Sequence, residues 1–269
     1  MSTDPKPHPP GRIEARREGG VLRLRVCNPA RYNAMSLSMW RALAEHVARA
    51  DADDGVRVVV LEGEGERAFV SGADISEFGA SRNDPQQVAA YEEAVSAAQG
   101  GLMACRHPVV AAIRGVCMGG GIGLALACDL RYCNASARLR MPAARLGLGY
   151  ALAGMRRMVE TLGAARVADL FMTARTFDGA EAARLGLAHE AYADADFDAR
   201  VEERIQAVAG NAPLTLRAAK LALRHLGGAA GAPEAASVQQ AVAACFASRD
   251  YREGQQAFQE KRPAQFQGR

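Results

Sequence analysis

The chain has 269 residues, enough for one domain of about 200–250 residues with an appendage. With 49% hydrophobic and 23% charged residues it has ordinary globular composition, and a net charge of +3, scattered along the chain, gives no nucleic-acid footprint. No charged-then-apolar leader opens it and no apolar run reaches the roughly 18 residues that span a bilayer, so the expectation is a soluble, cytoplasmic, reduced protein with no membrane partner. Arginine greatly outnumbers lysine, which occurs only at Lys6, Lys220 and Lys261; this points to genomic base composition rather than a binding surface.

Residues 1–11 are proline-rich and polar and read as a disordered tail. Residues 13–27 read as a β-hairpin turning at Gly19-Gly20, with Val21, Leu22, Leu24 and Val26 in its second strand. Ser36 is a good N-cap for a helix whose stripe is Met39, Trp40, Leu43, Val47 and Ala50, and Trp40 reads as core. Residues 56–61 (VRVVVL) form the strongest strand, near-continuously apolar as in a sheet buried on both faces. A glycine and charge loop leads to a short strand at 68–70, then Ser71-Gly72-Ala73-Asp74-Ile75, where Asp74 reads as a helix cap. A longer helix follows over 85–105.

The organising stretch is 108–133 (PVVAAIRGVCMGGGIGLALACDLRYC). Residues 109–113 read as a buried strand, Gly115 breaks it, and Gly119, Gly120 and Gly121 precede a helix over 122–128 that has no polar face. Strand, glycine turn and buried helix is the arrangement that aims free N–H groups of a helix N-terminus at a ligand. The same three glycines are equally compatible with tight helix packing alone. The run Gly119-Gly120-Gly121-Ile122-Gly123 does not fit the dinucleotide-binding spacing of glycines, and no Gly-Lys-Ser/Thr follows for a phosphate loop.

Beyond Tyr150 the chain reads as helices at 152–162, 164–172, 179–185, 196–208, 213–226 and 234–249, with alanine-rich faces suited to a subunit interface. The strand and helix alternation before this point predicts an α/β fold with crossovers. The six cysteines form no CxxC pair and sit mostly in apolar runs, and the five histidines have no metal-ligand spacing, so no metal and no cofactor are expected.

Several motifs then coincide in order: Asn33-Ala34-Met35; Ala68-Phe69-Val70-Ser71-Gly72-Ala73-Asp74-Ile75; Gly119–Gly121; Cys128-Asp129-Leu130-Arg131; 182–187 (AARLGL); and 250–258 (DYREGQQAF) with Lys261-Arg262. Together they resemble the enoyl-CoA hydratase/isomerase, or crotonase, superfamily from about residue 12 to the C-terminus. The resemblance implies a lyase or isomerase of acyl-CoA metabolism. Its core over 12–195 is expected to be a spiral of β-β-α turns, with a helical trimerisation region over 196–269 and a homotrimeric or homohexameric assembly. It also implies stabilisation of a thioester enolate by two backbone N–H groups, which match Ala73 and Gly120, a function that fits preorganised donors facing developing charge. By the same resemblance Ala68, Ala73, Asp74, Ile75, Ser76, Gly119 and Gly120 bind substrate: 73–76 line the thioester and pantetheine path, and the 66–70 backbone lies near the adenine.

The sequence also departs from that family. Its hydratases carry two glutamates that hold a water and move its protons. At the first of these positions, three after the middle glycine, stands Gly123; at the second, after Pro142, stands Ala143. Neighbouring Ile122, Leu124, Ala144 and Leu146 are apolar and Arg145 is a cation, so none replaces the acids. Tyr150 occupies a position resembling that of a tyrosine in decarboxylating members; it either donates a hydrogen bond or a proton to the reacting group or packs at the start of the next helix with its hydroxyl tied to backbone. Asp129 reads as structural. The readings left open are a hydratase with weak crotonyl-CoA activity, a decarboxylase or thioesterase using Tyr150, and a non-catalytic acyl-CoA-binding protein, with a nucleotide-dependent oxidoreductase a distant fourth.

Overall fold

The computed structural model describes residues 9–74, 84–228 and 231–269. The tail expected over 1–11 therefore lies almost wholly outside the described residues. Strands β1 (Arg12–Glu18) and β2 (Val21–Cys27) form the expected antiparallel hairpin, turned at Gly19 with φ +57°. From β2 the sheet continues in parallel through β3 (Val58–Gly63), β5 (Val109–Ile113), β7 (Leu130–Asn134) and β10 (Glu190–Tyr192). The strand order β1-β2-β3-β5-β7-β10 places β3 and β5 in the middle. Successive side chains of a strand point to opposite faces, and β3 divides accordingly: Val59 and Leu61 join the main core, while Val58 and Val60 join a second cluster. Burial on both faces is why 56–61 is apolar without alternation. The strand itself starts at Val58, because the Asp53 carboxylate and carbonyl accept from Gly55 and Val56 N–H and hold 53–56 in a turn.

A second, four-stranded sheet orders β4 (Ala68–Val70), β6 (Val116–Met118), β8 (Arg138–Arg140) and β9 (Thr176–Asp178). β4, β6 and β8 are parallel, and β9 closes the edge antiparallel to β8. The architecture is then a repeat: one strand in the large sheet, one in the small sheet, one helix. β3 and β4 precede α2 (Pro85–Ala104), β5 and β6 precede α3 (Gly120–Ala127), and β7 and β8 precede α4 (Ala143–Leu146). This is the spiral of β-β-α turns expected from the sequence. Strand β4 was expected at 68–70, whereas β6, β8, β9 and β10, at three residues each, are too short to carry a periodic signal and were not legible in advance.

Helix α1 (Leu37–Ala52) is capped by Ser36, whose hydroxyl accepts from Met39 N–H at 3.2 Å, and it buries Met39, Trp40, Leu43, Val47 and Ala50 as predicted. It packs against α2, where the Asp84 carboxylate accepts from Gln86 and Gln87 N–H. Trp40 Nε1 donates to Tyr91 Oη at 2.8 Å, so the buried indole has its polar atom satisfied. After α4 come α5 (Leu152–Leu162), α6 (Ala164–Thr173), α7 (Gly179–Leu185) and α8 (Phe197–Ala209). Phe197, Val201 and Ile205 of α8 cover the second face of the large sheet with Val58, Val60, Val110 and Tyr192.

The last segments are α9 (Pro213–Gly227), α10 (Ala235–Ala247) and α11 (Arg249–Glu260). The single helix expected over 234–249 ends at Ser248, whose extended backbone and hydroxyl, accepting from Tyr251 N–H at 3.0 Å, start α11 instead. The motif at 250–258 is therefore helical. The C-terminal tail is held by Asp250, which accepts from Gln267 and Gly268 N–H, and by Arg57, which donates to the Phe266 carbonyl.

Helix α9 is tied to the body by Lys220, whose buried ammonium donates to the Leu102 and His107 carbonyls and to Asp129 Oδ2 at 2.6 Å. The same carboxylate oxygen accepts from Val109 N–H at 2.7 Å, which gives Asp129 the structural role read from the sequence. Lys220→Met leaves that carboxylate without its counter-ion. Because Asp129 is a third exposed, we expect a loss of about 2–3 kcal/mol, below the range for a fully buried pair, measured as a lower urea midpoint.

Candidate active site

After β4 the chain runs beside Met35. The Met35 N–H donates to the Gly72 carbonyl at 2.8 Å and Asp74 N–H donates to the Met35 carbonyl at 3.0 Å, a one-residue parallel bridge. Such a bridge uses the groups on either side of Ala73, so the Ala73 N–H faces away from Met35. Gly72 has φ +113°, a conformation that L side chains rarely adopt. Next to it α3 begins. Gly119, at φ +50°, donates its N–H to the Arg140 carbonyl and accepts from Gly123 N–H at 3.2 Å, closing the first turn. The N–H groups of Gly120, Gly121 and Ile122 have no acceptor within the helix. A β-carbon placed on Gly120 falls 3.8 Å from Gly72 Cα, and one on Gly72 falls 3.8 Å from Gly120 N. The Gly72–Ala73 peptide and the first turn of α3 thus lie side by side.

The three glycines of the run have different duties. Gly119 supplies the left-handed turn. A β-carbon on Gly121 would lie 2.1 Å from the Val70 carbonyl oxygen, so this residue allows α3 to press on β4. At Gly120 a β-carbon would be 3.4 Å from Trp40 Cζ2, within ordinary contact distance. The packing reading of the run holds for Gly121, whereas packing does not require a glycine at Gly120.

Gly123, one turn further along α3, faces side chains that the sequence did not single out. A β-carbon there would lie 2.7 Å from Gln99 Nε2 and 3.5 Å from Tyr150 Oη. Gln99 projects from α2 and is 5% exposed; its Oε1 accepts from Arg157 Nη2. Arg157 Nη1 lies 3.2 Å from Met103 Sδ, and its Nε is buried with no partner. Burial lowers the Arg157 pKa, and the nearby Tyr150 and Glu160 oppose that shift. The Tyr150 ring packs edge-on against Phe171 (5.4 Å between centroids, 74°) and over Gly154. Burial raises its pKa, against the pull of Arg157. No backbone group among the described residues pairs with its hydroxyl, so the purely packing role considered for Tyr150 lacks its expected tie.

Ala143 is buried at the start of α4, and the preceding Pro142 ring lies 3.7 Å from a β-carbon on Gly119. Positions 119, 120, 123, 143 and 150, which the family resemblance singled out, therefore gather around α3. Asp74 is buried and accepts from Arg31 Nη1 at 2.7 Å; the helix it was expected to cap, with Ile75 and Ser76, lies outside the described residues. Ala68 is buried in β4 and its carbonyl accepts from Asn33 Nδ2 at 2.7 Å, which also reaches the Glu64 carbonyl. Asn33, at φ +55°, thereby fixes the entry to the site, and this explains the Asn33-Ala34-Met35 motif. Gln99 could have been noticed as the polar residue of an alanine- and glycine-rich helix end; Arg157 carried no signal in an arginine-rich chain. The cysteines offer no nucleophile here: burial pushes the thiols of Cys128 and Cys133 up to about 12.

The division of labour among the glycines is testable. Gly121→Ala drives a methyl group into the Val70 carbonyl and is expected to destabilise the fold by about 3 kcal/mol. Gly120→Ala should stay folded, with a melting temperature close to that of the wild type. Equal melting temperatures for the two variants would contradict the packing described.

Comparison with known proteins agrees with this geometry. A sequence profile described as enoyl-CoA hydratase/isomerase matches residues 16–269. The structure of an enoyl-CoA hydratase/carnithine racemase from Magnetospirillum magneticum superposes with a TM-score of 0.91 at 33% identity, covering 96% of each chain. A peroxisomal Delta(3,5)-Delta(2,4)-dienoyl-CoA isomerase of Arabidopsis thaliana is 31% identical over 78% of this chain and 80% of its own. A short-chain-enoyl-CoA hydratase of Clostridium acetobutylicum is 27% identical over 91% and 94%. With the spiral of β-β-α turns and the glycine-led helix at its centre, the chain belongs to the enoyl-CoA hydratase/isomerase family.

Proposed function

We propose that the protein processes acyl-CoA thioesters by holding the thioester oxygen between the Ala73 and Gly120 N–H groups, where they stabilise an enolate. The observation that carries this is the contact of Gly72 with Gly120, which sets the outward-facing Ala73 N–H beside the unpaired first turn of α3. A helix N-terminus adds its positive partial charge to the same point. Donors already fixed in place are worth most against charge that develops during reaction. Coenzyme A arrives with the substrate, its pantetheine passing the 73–76 segment and its adenine near 66–70; no further cofactor is called for. Binding of acetoacetyl-CoA but not NADH in calorimetric titration is expected, and NADH binding more tightly than the thioester would end this reading.

Hydration of crotonyl-CoA is the weak point of the site. Water must lose a proton and the α-carbon must gain one, and each such step of acid/base help is worth about 10²–10⁴ in rate. Gly123 and Ala143 supply neither carboxylate. Tyr150, its pKa raised, is protonated at neutral pH, and Asp74 is engaged by Arg31. Turnover of crotonyl-CoA is expected to fall orders of magnitude below that of a family member carrying both glutamates, assayed side by side. Gly123→Glu with Ala143→Glu should raise it, most clearly when Gln99→Ala clears the space that the new side chain needs. Wild-type turnover equal to the two-glutamate enzyme would refute the reading.

We also propose a homotrimer, or a hexamer of two trimers, assembled through the C-terminal helices. α10 (Ala235–Ala247, AASVQQAVAACFA) buries none of its residues within the chain, and Phe246 and Phe258 are 63% and 86% exposed. Leu223 and Leu226 of α9 lie open in the same region of the chain. Apolar surface of this extent is characteristic of interfaces. Light scattering coupled to size exclusion should give three or six chains; a monodisperse monomer at micromolar concentration would contradict it.

A further inference from the structure

One turn along α3 from the proposed oxyanion site, the side chains of Gln99, Tyr150 and Arg157 keep donors to spare after Arg157 has donated to Gln99 Oε1. Tyr150 Oη, Gln99 Nε2 and Arg157 Nε each lack an acceptor among the described residues, and Gln99 is 5% exposed. The orientation of the Gln99 amide is set by its partner: Arg157 has only donors, so the oxygen of Gln99 must face it, and the NH₂ turns toward Gly123. Arg157 makes no ion pair among the described residues, and only the longer-range influence of Glu160 and Tyr150 offsets its burial. Arg157 Nε is fully buried without a partner, which is costly, and Gln99 Nε2 and Tyr150 Oη add free donor capacity to the same cluster. Glutamate at position 123, as in the family's hydratases, would put a carboxylate among these donors; with Gly123 that carboxylate has to come from elsewhere.

We propose that it comes from the substrate: the acyl group carried by the thioester bears a carboxylate, bound by Gln99 Nε2, Tyr150 Oη and the Arg157 guanidinium. This rests on the acyl-CoA reading above and names its substrate class. Three residues of helix separate Gly120 from Gly123, about 4.5 Å along the axis, which is the distance from a thioester carbonyl to a carboxylate a few bonds along the acyl chain. A charged acceptor meeting a guanidinium, an amide and a phenol gains charge-assisted hydrogen bonds; a neutral alkyl group of the same shape leaves all three donors bare.

The test compares thioesters that differ only in that charge. Malonyl-CoA is paired with isovaleryl-CoA, and glutaryl-CoA with 5-methylhexanoyl-CoA, in each of which an isopropyl group replaces the carboxylate. Dissociation constants are measured by titration for the wild type and for Gln99→Leu, Tyr150→Phe and Arg157→Met. At least one diacid thioester is expected to bind tenfold or more tightly than its neutral partner, and the Arg157→Met and Gln99→Leu variants should erase that preference while keeping the affinity for the neutral thioester. If Arg157→Met does not fold, Gln99→Leu and Tyr150→Phe decide the matter alone. Equal or reversed preference in both pairs overturns the proposal, as does a variant series that weakens charged and neutral thioesters alike. The neutral thioesters separate the two readings: if the wild type binds them but shows no preference for the diacids, only the carboxylate site is wrong. If it binds neither kind, the acyl-CoA reading falls too.

Discussion

The structure depends on burying a helix that has no polar face. Residues 121–127 of α3 are buried throughout, so the helix must be surrounded, and only a close approach to β4 and α1 leaves room for it. Gly121 permits the contact with Val70 and Gly119 permits the turn into the helix. The consequence is chemical as well as mechanical. A helix driven into the interior carries its unsatisfied first N–H groups with it, and these lie beside the Gly72–Ala73 peptide, whose outward N–H has no backbone partner among the described residues.

That place is held from several sides. Trp40 lies beneath Gly120 and is itself fixed by Tyr91, while the bridge from Met35 orients the 72–74 backbone. Asn33 ties the start of the same loop to the Ala68 and Glu64 carbonyls. The donors are therefore set by core packing rather than by mobile side chains, and preorganisation of this kind is what gives backbone N–H groups their effect on an enolate. Family members can then alter the surrounding side chains without disturbing the donors.

At position 123, where the sequence resemblance places an acid in hydratases, a glycine faces Gln99 Nε2 and Tyr150 Oη. Gln99, Tyr150 and Arg157 come from α2, the loop before α5, and α5 itself, and they meet only because α2 and α5 both pack on α3. The proposed enolate site and the proposed carboxylate site both rest on this packing.

The sequence by itself determined the parts whose signal is local. The Ser36-capped stripe of α1, the hairpin at Gly19-Gly20, the doubly buried β3 and the all-apolar α3 were legible because periodicity and capping act over a few residues. The positions of Ala73, Gly120, Gly123, Ala143 and Tyr150 were legible through motifs in a recognisable order. Only the tertiary structure decided the rest. Strands β6, β8, β9 and β10 are each three residues long and take their form from neighbours in the sheet, and the break at Ser248 follows from a capping hydroxyl inside an otherwise continuous helical pattern. Which glycine serves packing and which serves the site depends on what each β-carbon would strike. The meeting of Gln99 with Arg157, 58 residues apart, has no trace in the sequence, because a hydrogen bond between distant side chains is written only in how the helices that carry them pack.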